Sequence, residues 1–180
     1  MDNQILDFLY QKSRTSLSME RLAALVLDEP SCMAELVDIC TDTTDTEGNW
    51  RAAWLLYKVA DESPTLLQTY APRLIGFFIS SYPDCPDGLL RGLLRTLMTL
   101  EYPENLCASL LDACTDIYKK QKRAKAVRVN AIKVIGKIVR IYPELAVEFI
   151  PEFELLATHD EKAVAAAARI ELKKIKRLHL

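Results

Sequence analysis

Four prolines, Pro30, Pro64, Pro103 and Pro143, each close one apolar stretch of helical period and open the next, at spacings of 34, 39 and 40 residues. Self-similarity at roughly 20–50 residues marks stacked supersecondary units, none of which buries its apolar face alone. Proline suits the first turn of a helix, where its missing N–H would have had no partner. At Ser63-Pro64 a serine also stands at the N-cap position. Pro64 and Pro143 are followed eight residues on by Pro72 and Pro151, and a mid-helix proline kinks the helix that holds it. A second marker keeps step: an apolar–Arg pair opens the alternate helix at Trp50-Arg51, Leu90-Arg91 and Val127-Arg128, 40 and 37 residues apart.

Between these markers the apolar residues fall at helical spacing, and no segment alternates as a strand would. A short helix is expected over 3–12 (Ile5, Leu6, Phe8, Leu9) and another over 19–27. The next covers 31–41, with Met33, Leu36, Val37 and Cys40 on one face. The polar break 41–49 ends in Asn49, a candidate cap for the helix over 50–60. In that helix Trp50, Trp54 and Tyr57 form an i, i+4, i+7 stripe, expected to pack in the core. A proline-kinked helix over 64–82, then helices over 88–100, 103–119, 145–157 and 163–176, follow, with one more opening at Val127-Arg128. Asp160, in a turn beside His159, is expected to cap the last helix. The chain therefore reads as one all-α domain over 1–180 of about five helical hairpins, with approximate repeats 3–28, 30–61, 64–100, 103–141 and 143–177.

The closest copy of the repeating figure runs Val127-Arg128, Ala131, Gly136, Pro143, Phe149, Pro151, Asp160. It resembles the HEAT repeat. The resemblance implies a right-handed α-α superhelix, a HEAT-like solenoid, in which a first helix (A) lies on the convex side and a second (B) lines the concave side. It also implies a turn aspartate paired with the arginine of helix B. Asp45 and Arg51 have the matching separation of six and Asp84 and Arg91 one of seven, while Lys122 stands at the aspartate position and Ala165 at the arginine position. A HEAT motif identifies a scaffold rather than an activity.

Half of the 180 residues are apolar and only five are glycine, as in an ordered helical protein of one-domain size. No run of about 18 apolar residues exists, so no membrane span is expected. The opening MDNQILDFLYQKSRTSL sets acids inside its apolar stretch, unlike a secretory leader. Five cysteines (Cys32, Cys40, Cys85, Cys107, Cys114) form no C-x-x-C pair, and the two histidines do not complete a zinc set with them. Reduced core thiols in the cytoplasm are expected, with no cofactor or metal.

The formal net charge of −2 hides a division: residues 1–115 hold 8 Lys and Arg against 17 Asp and Glu, and residues 116–180 hold 15 against 8. Lys133, Lys137 and Arg140 fall on one helical face. With Arg169 and Lys173 on the following B helix, and Lys122, Arg123 and Lys125 at the rim, they form a candidate basic patch. An acidic protein segment is the first partner such a patch suggests and a nucleic-acid backbone the second. The chain has no nucleophile elbow, glycine-rich phosphate loop, H-E-x-x-H or calcium loop. The favoured reading is a non-catalytic scaffold or adaptor that binds a partner protein. The alternative is a nucleic-acid-binding protein resembling the HEAT-like DNA glycosylases that repair alkylated bases, with Trp50 and Trp54 as an aromatic surface and Asp61 as the nearest carboxylate.

Overall fold

The computed structural model describes residues 16–44, 46–120 and 122–178. The expected helix over 3–12, Asp45 and His179 lie outside the described residues. Ten α-helices and two short 3₁₀ turns, and no strand, occur among the described residues. The chain divides into two compact units, residues 1–103 and 104–180.

In the first unit α1 (Ser16–Asp28), α2 (Met33–Thr41), α3 (Thr46–Glu62), α4 (Pro64–Gln68), α5 (Ala71–Ser81) and α6 (Asp87–Leu97) follow in order. The central element is α3, which packs against α1, α2 and α6. Its Ala52, Ala53, Leu55, Leu56, Val59 and Ala60 are all buried, each large side chain contributing about 1.5–3 kcal/mol relative to exposure. The α3–α6 crossing is close because a glycine sits there. A Cβ at Gly92 would lie 2.8 Å from the Ala53 carbonyl carbon, oxygen and Cβ, and backbone cannot move aside as a flexible side-chain end can.

The second unit holds α7 (Glu104–Lys119), α8 (Lys125–Ile141), α9 (Ala146–Leu156) and α10 (Lys162–Lys176). Helix α8 packs on both α7 and α10, and α9 packs on α10. Ten residues of α8 are buried, from Val127 to Val139. Here too a glycine marks the tightest approach, since a Cβ at Gly136 would meet Glu171 atoms at 2.6–2.8 Å.

All four repeating prolines stand at a helical start. Pro64 opens α4 and Pro103 directly precedes α7, whereas Pro30 and Pro143 open the 3₁₀ turns Pro30–Cys32 and Pro143–Leu145, which run into α2 and α9. The second prolines behave differently. The segment expected as one kinked helix over 64–82 is broken into α4 and α5, with Pro72 in the first turn of α5. Pro72 has no N–H for the Gln68 carbonyl and its ring crowds that oxygen. The Gln68 side chain instead fastens to the backbone of Glu101, at 2.9 and 3.1 Å. Pro151 is kept inside α9, where the residue four before it, Val147, is 85% exposed and its carbonyl has access to water.

The expected caps do not form. Asn49 lies in the second turn of α3 rather than before it, and its amide reaches the Asp42 carbonyl at 3.4 Å. Ser63 holds the N-cap position of α4 without capping it, because its hydroxyl turns to Thr65 at 3.3 Å. At α10 the N-cap residue is Glu161, not Asp160, and its N–H donates to His159 Nδ1 at 3.0 Å.

Candidate functional site

Packing leaves one strip of α8 uncovered, and it is cationic. The strip carries Ala126, Val129, Lys133, Lys137 and Arg140, while the other residues from Val127 to Val139 are buried. Glu171 of the adjoining α10 is 1% exposed, and both Arg140 and Lys174 are ion-paired to its carboxylate, Lys174 at 2.7 Å. A lone carboxylate among the cations of α10 is thus the anchor between the two helices. It fits only because Gly136 has no side chain. The neighbouring surface of α10 bears Lys173, Arg177 and Ile170, the last 52% exposed.

The expected basic patch divides on this structure. Lys133, Lys137 and Arg140 share the strip, with Lys173 exposed on the adjacent helix. Arg169 is turned elsewhere, donating to the Ala157 carbonyl at 3.0 Å just beyond the end of α9. Lys122 and Lys125 are exposed and Arg123 is half-buried at the α7–α8 turn. Sequence reasoning missed Glu171, Lys174 and Arg177. The signal available was the i, i+3 spacing of Glu171 and Lys174 within a helix otherwise rich in lysine.

The other arginine of the repeat marker is structural. Arg128 is 2% exposed, donates through Nε to the Tyr118 carbonyl at 3.0 Å and reaches Glu161 at 2.9 Å. Its partner lies 33 residues ahead, in the turn before α10, and Lys122 takes no part in that pair. Arg51 pairs with Glu47 one turn back on its own helix, and Asp45, its expected partner, lies outside the described residues.

In the first unit the aromatic stripe is half-buried rather than core. Trp50, Trp54 and Tyr57 line an open groove of about 290 Å³, whose other wall is Gly88, Arg91 and Gly92 of α6. The indoles stack with centroids 6.4 Å apart and planes 12° from parallel. Trp54 Nε1 donates to the Tyr57 hydroxyl at 2.6 Å, which locks both rings. Arg95 lies over the Tyr57 ring, 4.2 Å from its centroid, and is bonded to Asp61 at 2.9 Å. Asp61 is therefore an exposed ion-pair partner and is not part of the groove lining.

The five cysteines are free thiols. Burial drives Cys40 and Cys114 far above the ordinary thiol range, with the neighbouring Cys85 adding to the effect at Cys40. A hydrogen bond with Cys107, then burial and the charges of Glu104 and Glu144, push the Tyr142 phenol up to about 12. Among the described residues no cluster of His, Cys, Asp and Glu is arranged to hold a metal ion, and no helix is long and apolar enough to cross a membrane.

No curated protein and no solved structure matches the chain. A family match does exist, to the HEAT repeat domain, and it runs over residues 9–175. That span takes in all of the helices described above but the last residue of α10, together with the proline joints, the apolar–Arg pairs and the glycine crossings. The chain belongs to the HEAT repeat domain family.

Proposed function

We propose that this helical-repeat protein is a non-catalytic scaffold or adaptor whose α8–α10 face takes up an acidic segment of a partner protein. The observation that carries the reading is the charge arrangement around Glu171. One buried carboxylate serves Arg140 and Lys174, whereas Lys133, Lys173 and Arg177 on the same open surface have no described carboxylate of their own. A surface of fixed cations in an otherwise helical wall attracts anions and speeds their encounter. Ile170 exposes an apolar side chain among these cations, which suits a protein segment better than a phosphate backbone. The alternative, a nucleic-acid grip like that of HEAT-like DNA glycosylases, would set Trp50, Trp54 and Asp61 at the reacting base. Against it, Asp61 is occupied by Arg95 and is excluded from the aromatic groove.

The test compares the native chain with a Lys133→Glu, Lys137→Glu variant against two probes, an end-blocked peptide of alternating Glu and Leu and a duplex DNA, each at two salt levels. The peptide should lose about tenfold or more in affinity with the variant and keep part of its binding as salt rises, because apolar contacts are not screened. Duplex binding that is stronger, and whose log–log salt slope falls by about one unit per charge removed, would replace the protein reading with the nucleic-acid one. Unchanged binding of both probes would make the strip a solvated surface and overturn the proposal.

A further inference from the structure

We propose that the groove between α3 and α6 is a second binding site, for a proline-rich segment in polyproline II conformation that carries an acidic residue. It lies in the first unit and does not depend on the α8–α10 face.

The walls select the ligand. Two indoles and a phenol make one side, and the other is two glycines and Arg91. The hydrogen bond from Trp54 to Tyr57 spends the Trp54 donor on the wall itself and fixes the rings. Because both walls are helices, their backbone groups beyond the first turn of α6 are already paired within the helix. An extended strand laid in the groove would find no ladder for its N–H and C=O groups, at a cost for each one left unmet. A polyproline II segment escapes that cost, since its backbone stays solvated and its prolines have no N–H. The lengths also agree. Trp50 and Tyr57 are about 10.5 Å apart along the helix axis, close to the about 9.3 Å of one three-residue turn of polyproline II. Prolines at one end and the other of such a turn meet aromatic faces, the arrangement by which aromatic grooves hold proline-rich segments in general.

Charge fixes the remaining feature. Arg91 is exposed at the groove and forms no ion pair with another described residue. Arg95 and Arg51 flank the same rings, Arg51 lying 5.3 Å from the centroid of Trp50. These cations repel a cationic ligand and offer a carboxylate one open partner in Arg91. A polyanion is disfavoured too, because residues 1–103 hold 8 Lys and Arg against 15 Asp and Glu, a formal −7. Isolated acids spaced by prolines satisfy both conditions; the contiguous charge of a nucleic-acid strand does not.

The only two tryptophans of the chain are Trp50 and Trp54, so intrinsic fluorescence reports the groove directly. The probe is an end-blocked peptide of three Pro-Pro-Glu triplets, with a Gly-Ser-Glu peptide of equal charge and oligothymidine as comparisons. Gly88→Leu fills the groove while keeping both tryptophans. A Cβ at Gly88 meets only Trp50 Cβ, at an ordinary 3.9 Å, so the fold should tolerate it. The expected result is a saturable fluorescence change with the Pro-Pro-Glu peptide alone, weakened about tenfold or more by Gly88→Leu and about fivefold by Arg91→Glu. No saturable change, an equal response to the Gly-Ser-Glu peptide or to oligothymidine, or native affinity in both variants would overturn the proposal.

Discussion

Arg128 shows what a single residue does in this fold. Its guanidinium is buried and bridges the Tyr118 carbonyl of α7 to Glu161 before α10, tying three helices through one planar group. Removing one member of a buried pair leaves the others desolvated and unmet. Arg128→Ala should therefore lower stability by about 3 kcal/mol, read as a reduced urea midpoint with unchanged slope. Arg128→Lys should recover little of it, since one ammonium cannot serve both acceptors with the fork geometry of arginine. An unaffected midpoint would show that the bridge is ornamental. The apolar–Arg marker was legible at three places, yet its arginines have three fates: an own-helix pair for Arg51, an exposed groove position for Arg91 and burial for Arg128. Sequence spacing points within a repeat, whereas the partner of Arg128 comes from the next one. A second residue-scale expectation concerns alkaline pH. Cys40 and Cys114 hold their protons in the folded state above the ordinary value of 9.0, and Tyr142 above 10.0. The unfolded chain releases those protons first, so their contribution is complete below about pH 9 and is lost as pH rises toward the folded values. Unfolding midpoints should fall steadily above pH 9, and a Tyr142→Phe variant should lose from the tyrosinate titration a component near 12. Loss of a component near 10 would contradict the Cys107 contact.

At the scale of elements, what the sequence carried best was the joints. Proline forbids a continuing helix and favours a starting one for reasons internal to the residue, so Pro30, Pro64, Pro103 and Pro143 could be placed without knowing any neighbour. Caps were poorly legible because an Asn, Ser or Asp near a helix start has several local partners. Asn49 and Ser63 turn to a loop carbonyl and a neighbouring hydroxyl, and before α10 the N-cap position falls to Glu161, whose N–H goes to His159. The aromatic stripe of α3 has the spacing of a core face, and spacing does not say what stands opposite. Opposite stand two glycines, so the rings border a groove. The same lack of side chains sets the crossing of α3 and α6. Gly92→Ala should shift a methyl into the Ala53 backbone and cost about 1–3 kcal/mol, whereas Gly88→Ala, with an ordinary 3.9 Å contact, should be close to neutral. Thermal unfolding of the two variants side by side checks this, and equal midpoints would contradict the close crossing.

For the whole molecule, charge follows the compact units: residues 104–180 hold 15 Lys and Arg against 10 Asp and Glu, a formal +5 set against the −7 of residues 1–103. The division was visible in composition, but which cations share a surface was not. It took the buried Glu171 to show that Arg140 and Lys174 meet, and the contact with Ala157 to turn Arg169 away. Membership of the HEAT repeat domain family accounts for the repeat and its joints, and a repeat surface binds according to the side chains it displays. The most direct measurement of the central proposal is a backbone-amide NMR titration of isotope-labelled protein with the Glu-Leu peptide. Shift changes should gather at Val129, Lys133, Lys137 and Arg140 of α8 and at Ile170 and Lys173 of α10. Changes gathered on any other surface, or none with peptide in excess, would contradict that proposal.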